Sequence, residues 1–316
     1  VKAGVKHIQN KFGWLIFLTV LTLSACTGKV DGLVSNLSSN QTPSVSNQIS
    51  TANQMSVVTN QNQSTTNGDL EKLLAEISWQ AVEEAKRQGV SALPTLRRFA
   101  NDKNYRIRQL VMNCVGAIGD DQGADILAAG LKDTNINVQL PAARELSQKA
   151  YPSAQTAILD SLKNEPENLV RELLALAAGF LSGEKAIPVL RPLAQGDTVL
   201  AQNAKTALAK LGDAVGKKAI SAGLAASLPR TRYETLQKLC YINDKSFAVQ
   251  AVKLLSDKAV GIRIGTVYNP KARRVADQAV DTLVCLLNLK PSFTTSVEKI
   301  YTDQELTEIR KLAGSK

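Results

Sequence analysis

Residues able to do covalent or acid/base work are scarce in this chain of 316 residues. The only histidine is His7, which lies in a basic stretch ahead of an apolar run. A mature chain without it has no Ser-His-Asp or Cys-His nucleophile, no His-ligated zinc or iron and no imidazole relay. Cysteine occurs at 26, 114, 240 and 285, with no spacing that suits a zinc pair or a redox Cys-x-x-Cys unit. Cys114, Cys240 and Cys285 each sit in an apolar stretch, so buried, reduced thiols are the expectation; a Cys240–Cys285 disulfide is the less favoured reading. The acidic pairs Glu83-Glu84 and Asp120-Asp121 are adjacent in sequence, diverge on a helix or turn, and suit solvation better than paired catalysis. There is no Gly-rich phosphate loop and no Gly-x-Ser-x-Gly elbow. The expectation is therefore a non-enzymatic protein with no catalytic residues, metal ligands or cofactor.

The elements around these residues begin with an address. Lys2, Lys6 and Lys11 precede an apolar run from Trp14 to Leu23, which closes on Leu23-Ser24-Ala25-Cys26. A basic region, a short apolar region and small residues before a cleavage point read as a secretory signal over residues 1–25. The run falls short of the roughly 20 apolar residues a membrane span needs. Leu23-Ser24-Ala25-Cys26 resembles the bacterial lipobox, which implies cleavage before Cys26, acylation of its sulfur and a lipid-anchored chain in the cell envelope. Thr27 stands where that sorting pattern places Asp for inner-membrane retention, so the outer membrane is expected in a diderm. Residues 26–68 follow as a Ser/Asn/Gln/Thr-rich linker with two charges, Lys29 and Asp31, too polar to offset its ordering entropy. As a coil it would reach roughly 35 Å on average.

Beyond it, apolar residues recur every 31 positions. The columns are Leu96/Leu127/Ile158/Val189, Ala100/Leu131/Leu162/Leu193, Ile107/Val138/Leu169/Leu200, Val111/Ala142/Leu173/Ala204 and Val115/Leu146/Ala177/Leu208. Their spacing inside a unit gives two short amphipathic helices joined by a turn, in which Asp102, Asp133 and Asn164 can cap or stabilise. A helical pattern over Asp69–Gln88 precedes the array. Neither helix of a unit can bury its stripe alone, so neighbours must stack: the fold expected is all-α, an α-solenoid of about six helix pairs over residues 69–290, closed by a capping segment at 291–316.

This pattern resembles the HEAT repeat, in the short bacterial form also found in phycobilisome-lyase-like proteins. Ile107-Arg108 and Val170-Arg171 match the Val-Arg that opens the second helix there, and Ala117-Ile118-Gly119-Asp120 its closing Ala-Leu-Gly. The resemblance implies that second helices line the concave side, where Arg106, Asn113, Asn137, Arg144, Asn168 and Arg171 would form a polar, mildly basic ridge. It also raises a bilin-lyase-like activity, which an exported chain disfavours. Iron-binding HEAT hydroxylases are excluded by the missing histidines, and nucleic acid by export.

The register breaks after Leu255. Residues 260–270 hold two glycines and Asn269-Pro270, which oppose a helix, beside Ile262, Ile264, Val267 and Tyr268, too apolar for an idle loop. A second helix is expected to start near Lys271, with Val275, Ala279 and Leu283 inward. Two readings stand: the segment seals the open end of the stack, or Ile262, Ile264 and Tyr268 with Arg273 and Arg274 form a partner-binding site. The leading function is a scaffold for another envelope protein or peptide. The alternative is binding of lipopolysaccharide or teichoic acid through a basic surface, since the chain without its signal carries about +7.

Overall fold

The computed structural model describes residues 67–266 and 269–315. The signal segment, Cys26, almost all of the linker and Tyr268 lie outside them. Helices α1 (Asn67–Ala75) and α2 (Gln80–Gln88) open the fold. Stacked pairs follow: α3 (Leu93–Phe99) with α4 (Tyr105–Ile118), α5 (Ala124–Gly130) with α6 (Ile136–Gln148), and α7 (Gln155–Asn164) with α8 (Asn168–Ala178). Then come α9 (Gly183–Leu193) with α10 (Val199–Lys210), α11 (Ala214–Leu224) with α12 (Pro229–Ile242), and α13 (Ala248–Lys253) with α14 (Val275–Leu287). Helix α15 (Asp303–Gly314) closes the unit, its start fixed by a capping box between Thr302 and Glu305. The second helix of each pair packs on the next, as a 31-residue apolar period requires.

Turn chemistry repeats with the helices. Asp102 accepts from the Asn104 backbone N–H at 2.7 Å, and Asn104 caps α4 by accepting from Arg106 N–H at 3.0 Å. Asp133, Asn135 and Asn137 reproduce this one repeat later, at 2.9 Å each. The caps are thus Asn104 and Asn135, with the aspartates two residues earlier bracing the turn. Asn164 plays neither part, because it is the last residue of α7 and its side chain donates back to the Asp160 carbonyl. Arg108 folds back to the Asp102 carbonyl at 2.8 Å and crosses to Asp133 at 2.7 Å. Arg232 does the same with the Ala226 carbonyl and Asp257, both at 2.7 Å. This arginine position fastens a turn to itself and to the following repeat. Gly119 and Gly212 end α4 and α10 with φ of 66° and 81°, where a side chain would be strained.

Three expectations need correction. The Asp69–Gln88 pattern is two helices, broken where Ile77 takes φ 54° and turns outward. In the third repeat the buried position is Val170, one residue later than the 31-residue column, and Leu169 is exposed. The first helix there is ten residues long against seven in the two repeats before, which displaces the turn. Residues 260–270 are no loop: β1 (Val260–Thr266) and β2 (Asn269–Arg274) pair as an antiparallel hairpin, and α14 starts at Val275, not at Lys271.

Leu146 is fully buried in α6, between α4 and α8. Leu146→Ala should cost about 2–5 kcal/mol through lost burial and the cavity left behind, read from the denaturation midpoint.

Candidate interaction surface

The polar ridge expected on the second helices divides in two. Arg106, Asn137 and Asn168 are exposed at the first turn of α4, α6 and α8. Deeper along the helices the side chains bind one another. Arg144 donates to Asn113 Oδ1 at 2.5 Å and to Glu145 at 3.0 Å, and Asn203 donates to the Glu172 carbonyl at 2.9 Å. Lys149 donates to the Gly116 carbonyl at 3.0 Å. Arg171 reaches the Leu162 carbonyl at 3.4 Å. These bonds tie neighbouring helices: Asn113 and Arg144 act chiefly as an inter-repeat tie, and Arg171 joins the two helices of its own repeat. Burial raises the Glu145 carboxyl against the pull of Arg144, and lowers the Lys149 amine. Burial likewise pushes the Cys114 thiol up to about 12, which leaves it unreactive.

The aromatic centre of the stack is also structural. Tyr241 of α12 donates to the Leu176 carbonyl of α8, passing beside Ala207 and Gly179. Lys210 lies 4.5 Å from the Phe180 ring centroid and 4.8 Å from that of Tyr241, and donates to the Tyr241 carbonyl at 2.7 Å. Its amine is lowered by burial. The apolar core divides at this point, one cluster ending at Leu208 and the next beginning at Ala209. Tyr241 and Lys210 bridge the division.

At the hairpin, the two readings separate by residue. Arg273 is 1% exposed and pairs with Asp281, while its other donors meet Tyr233 Oη at 3.1 Å, the Asp277 carbonyl at 3.2 Å and the Lys299 carbonyl at 3.3 Å. Arg274 binds Asp277 at 2.6 Å and the Tyr301 carbonyl at 2.5 Å. Arg273 therefore cannot meet a partner, and Arg274 is engaged; both lock the hairpin base to α14 and to the segment before α15. Gly261 lies flat on the Tyr233 ring, so close that a Cβ would collide. Ile262 and Ile264 are half-buried. Gly261, Arg273 and Arg274 seal the base of the hairpin against the stack, while Val260 and the residues toward the tip are exposed.

A surface the composition did not single out runs along the same edge. Leu169, Val199, Leu228 and Val260 are 44%, 40%, 65% and 45% exposed: Leu169 and Val199 lie in the first turn of α8 and α10, Leu228 directly precedes α12, and Val260 opens β1. In the first two repeats the first turn of the second helix is polar there, with Arg106 and Asn137. For Leu169 and Val199 the legible signal was an apolar residue at the first turn of a helix whose buried stripe begins later.

Residues 124–209 match the family model of HEAT repeats. No curated protein matches the chain. Among solved structures, the complex of CpcE and CpcF of phycocyanin lyase from Nostoc sp. PCC7120 is 16% identical, with a TM-score of 0.50 over 84% of this chain and 99% of that one. The archaeal HEAT-like repeats protein from Thermococcus onnurineus NA1 is 14% identical, with a TM-score of 0.39 over 80% of this chain and 99% of that one. The first likeness is one of fold. Residues 124–209 are thus matched as HEAT repeats, and the described residues around them continue the same α-solenoid architecture.

Proposed function

We propose that this protein is a non-enzymatic scaffold of the bacterial cell envelope, anchored by lipid at Cys26, that docks another envelope protein or an extended peptide along the turn edge of its repeats. One observation carries the docking: four exposed aliphatic side chains, Leu169, Val199, Leu228 and Val260, follow the turns after the first helices of four successive repeats. Single exposed aliphatics are ordinary on a protein surface, but one in each of four successive repeats suits a partner that runs along the stack. Photo-crosslinking residues placed at 169, 199 and 228 should give a discrete adduct in cells, while one at Val215, exposed on a first helix, should not. Equal labelling at all four positions, or at none, would sink the reading.

The anchor rests on the lysines, the apolar run and Leu23-Ser24-Ala25-Cys26 together. Cys26→Ala should abolish incorporation of a labelled fatty acid and leave the precursor unprocessed. Labelled Cys26→Ala protein would refute it. The outer membrane is the favoured address in a diderm, because Thr27 is not the retention residue.

A bilin-lyase-like activity is the competing reading, favoured by the likeness to a phycocyanin lyase complex. It would need groups able to hold a bilin and direct a thiol to it, and His7 is the chain's only imidazole. Transfer of a bilin to an acceptor cysteine, followed by absorbance in the presence of the protein, distinguishes it from a scaffold.

A further inference from the structure

The charge of the chain is unevenly placed. Residues 69–213 hold 17 basic and 18 acidic side chains, whereas residues 214–316 hold 17 basic and 9 acidic. The excess of cations thus begins where the apolar core divides, and it belongs to the last two repeats, the hairpin and α15. Several of those cations are brought to one edge by contacts that fix the turns. Arg232 joins the turn at Ala226–Leu228 to Asp257, and Arg310 of α15 donates to Ser256 at 3.0 Å. Lys258 follows directly, exposed, with Asp303 3.7 Å away as its one acidic contact. Arg263 on β1 and Lys271 on β2 are exposed and make no ion pair among the described residues. By the strand register Arg263 and Lys271 lie on opposite faces of the hairpin, and Leu228, beside the turn that Arg232 holds, and Val260, at the start of β1, are both exposed.

We propose that this C-terminal edge, with Lys258, Arg263, Lys271 and Arg310 around Leu228 and Val260, docks on the anionic headgroups of a lipid bilayer. The proposal rests on the envelope-anchored reading above. The cations come from a turn, two strands and a terminal helix, on long exposed side chains, of which Arg263 and Lys271 make no ion pair among the described residues and Lys258 and Arg310 each keep one surface contact. A fluid headgroup layer accepts such a scattered set, whereas a folded acidic partner demands matched positions. Aliphatic tips beside lysine and arginine can enter the headgroup boundary while the charges stay in it. One acyl-modified terminus on a long linker holds a protein near a membrane without orienting it. A basic edge at the far end of the stack supplies a second contact, and so lays the repeats along the surface with the rest of the row accessible. Tight fastening of the hairpin base by Arg273 and Arg274 makes the edge a rigid feature.

The test uses residues 66–316, a self-contained compact unit without the anchor, so it does not depend on lipidation. Co-sedimentation with phosphatidylcholine vesicles containing phosphatidylglycerol should exceed that with phosphatidylcholine alone, and should weaken as salt is raised. Arg263→Glu with Lys271→Glu should reduce binding about tenfold or more, as expected for removal of several headgroup contacts. Lys258→Glu, away from the hairpin, should reduce it too, which covers the case where the hairpin variant fails to fold. Arg106→Glu with Lys132→Glu, at the opposite end, should leave it unchanged. Equal binding to both vesicle types, or indifference to the C-terminal substitutions, would overturn the proposal. So would tighter binding to soluble polyglutamate than to vesicles, which would assign the edge to an acidic macromolecule. Loss of fatty-acid labelling in Cys26→Ala with intact vesicle binding here would leave both readings standing; labelling that persists would remove the anchor alone.

Discussion

Cys240→Ser should lower the stability of the oxidised protein by about 4 kcal/mol, the loop-entropy value for a bridge closing 45 residues. The bridge joins Cys240 of α12 to Cys285 of α14, with their Cα atoms 5.9 Å apart, inside the range a disulfide spans. It corrects the expectation of three reduced thiols: Cys114 alone is free and buried, and the other two are half-buried on facing second helices. Chain entropy is the origin of the effect, so reductant should destabilise the wild type by the same amount and leave Cys240→Ser untouched. The measurement is urea denaturation with and without reductant. Identical wild-type curves in the two conditions would show that no bridge forms. The prediction also bears on location, because a structural bridge persists in an oxidising compartment and is kept reduced in the cytosol.

The 31-residue period was readable because stacking forces it: each helix pair must present its stripe to two neighbours, and that constraint writes apolar residues at fixed intervals. What resisted reading were choices the period leaves open. Leu169-Val170 offers two apolar residues in succession, and the turn before them, shortened by the longer α7, decides which faces inward. Cys240 and Cys285 carry no spacing signal, since their proximity comes from α12 packing on α14 across 45 residues. The hairpin was partly legible: Ile262 and Ile264 alternate with exposed Arg263, Gly265 takes φ 93°, and Asn269-Pro270 excludes a helix. Read as a loop, the segment lost that alternation. Cations beside an exposed segment read as surface, and this misplaced Arg273. The corrective signal lay downstream, in Asp277 and Asp281, four apart on a helix that otherwise presents Val275, Ala279 and Leu283. Two aspartates on the apolar face of a buried helix require cations.

That requirement sets the second large effect. Asp281 is buried, and accepts from Arg273 and, at 2.5 Å, from Tyr301 Oη. Burial raises the Asp281 carboxyl above its ordinary range, opposed by the attraction of Arg273. Removing one partner leaves the other charged and without a counter-ion in the core. Asp281→Ala should therefore cost about 3–5 kcal/mol. The damage should be local before it is global, because Arg273 also holds the Lys299 carbonyl and Tyr233, and so joins the hairpin, α12 and the segment before α15. Amide hydrogen exchange should quicken first in residues 260–274 and 299–314, with the α4–α8 core protected as before. The double replacement Arg273→Met with Asp281→Leu removes both charges together, and should recover most of the loss, since a buried pair contributes little net stability against apolar residues of similar volume. If Asp281→Ala is silent, or if the double variant is less stable than the single one, the pair is not what fastens the hairpin to the stack.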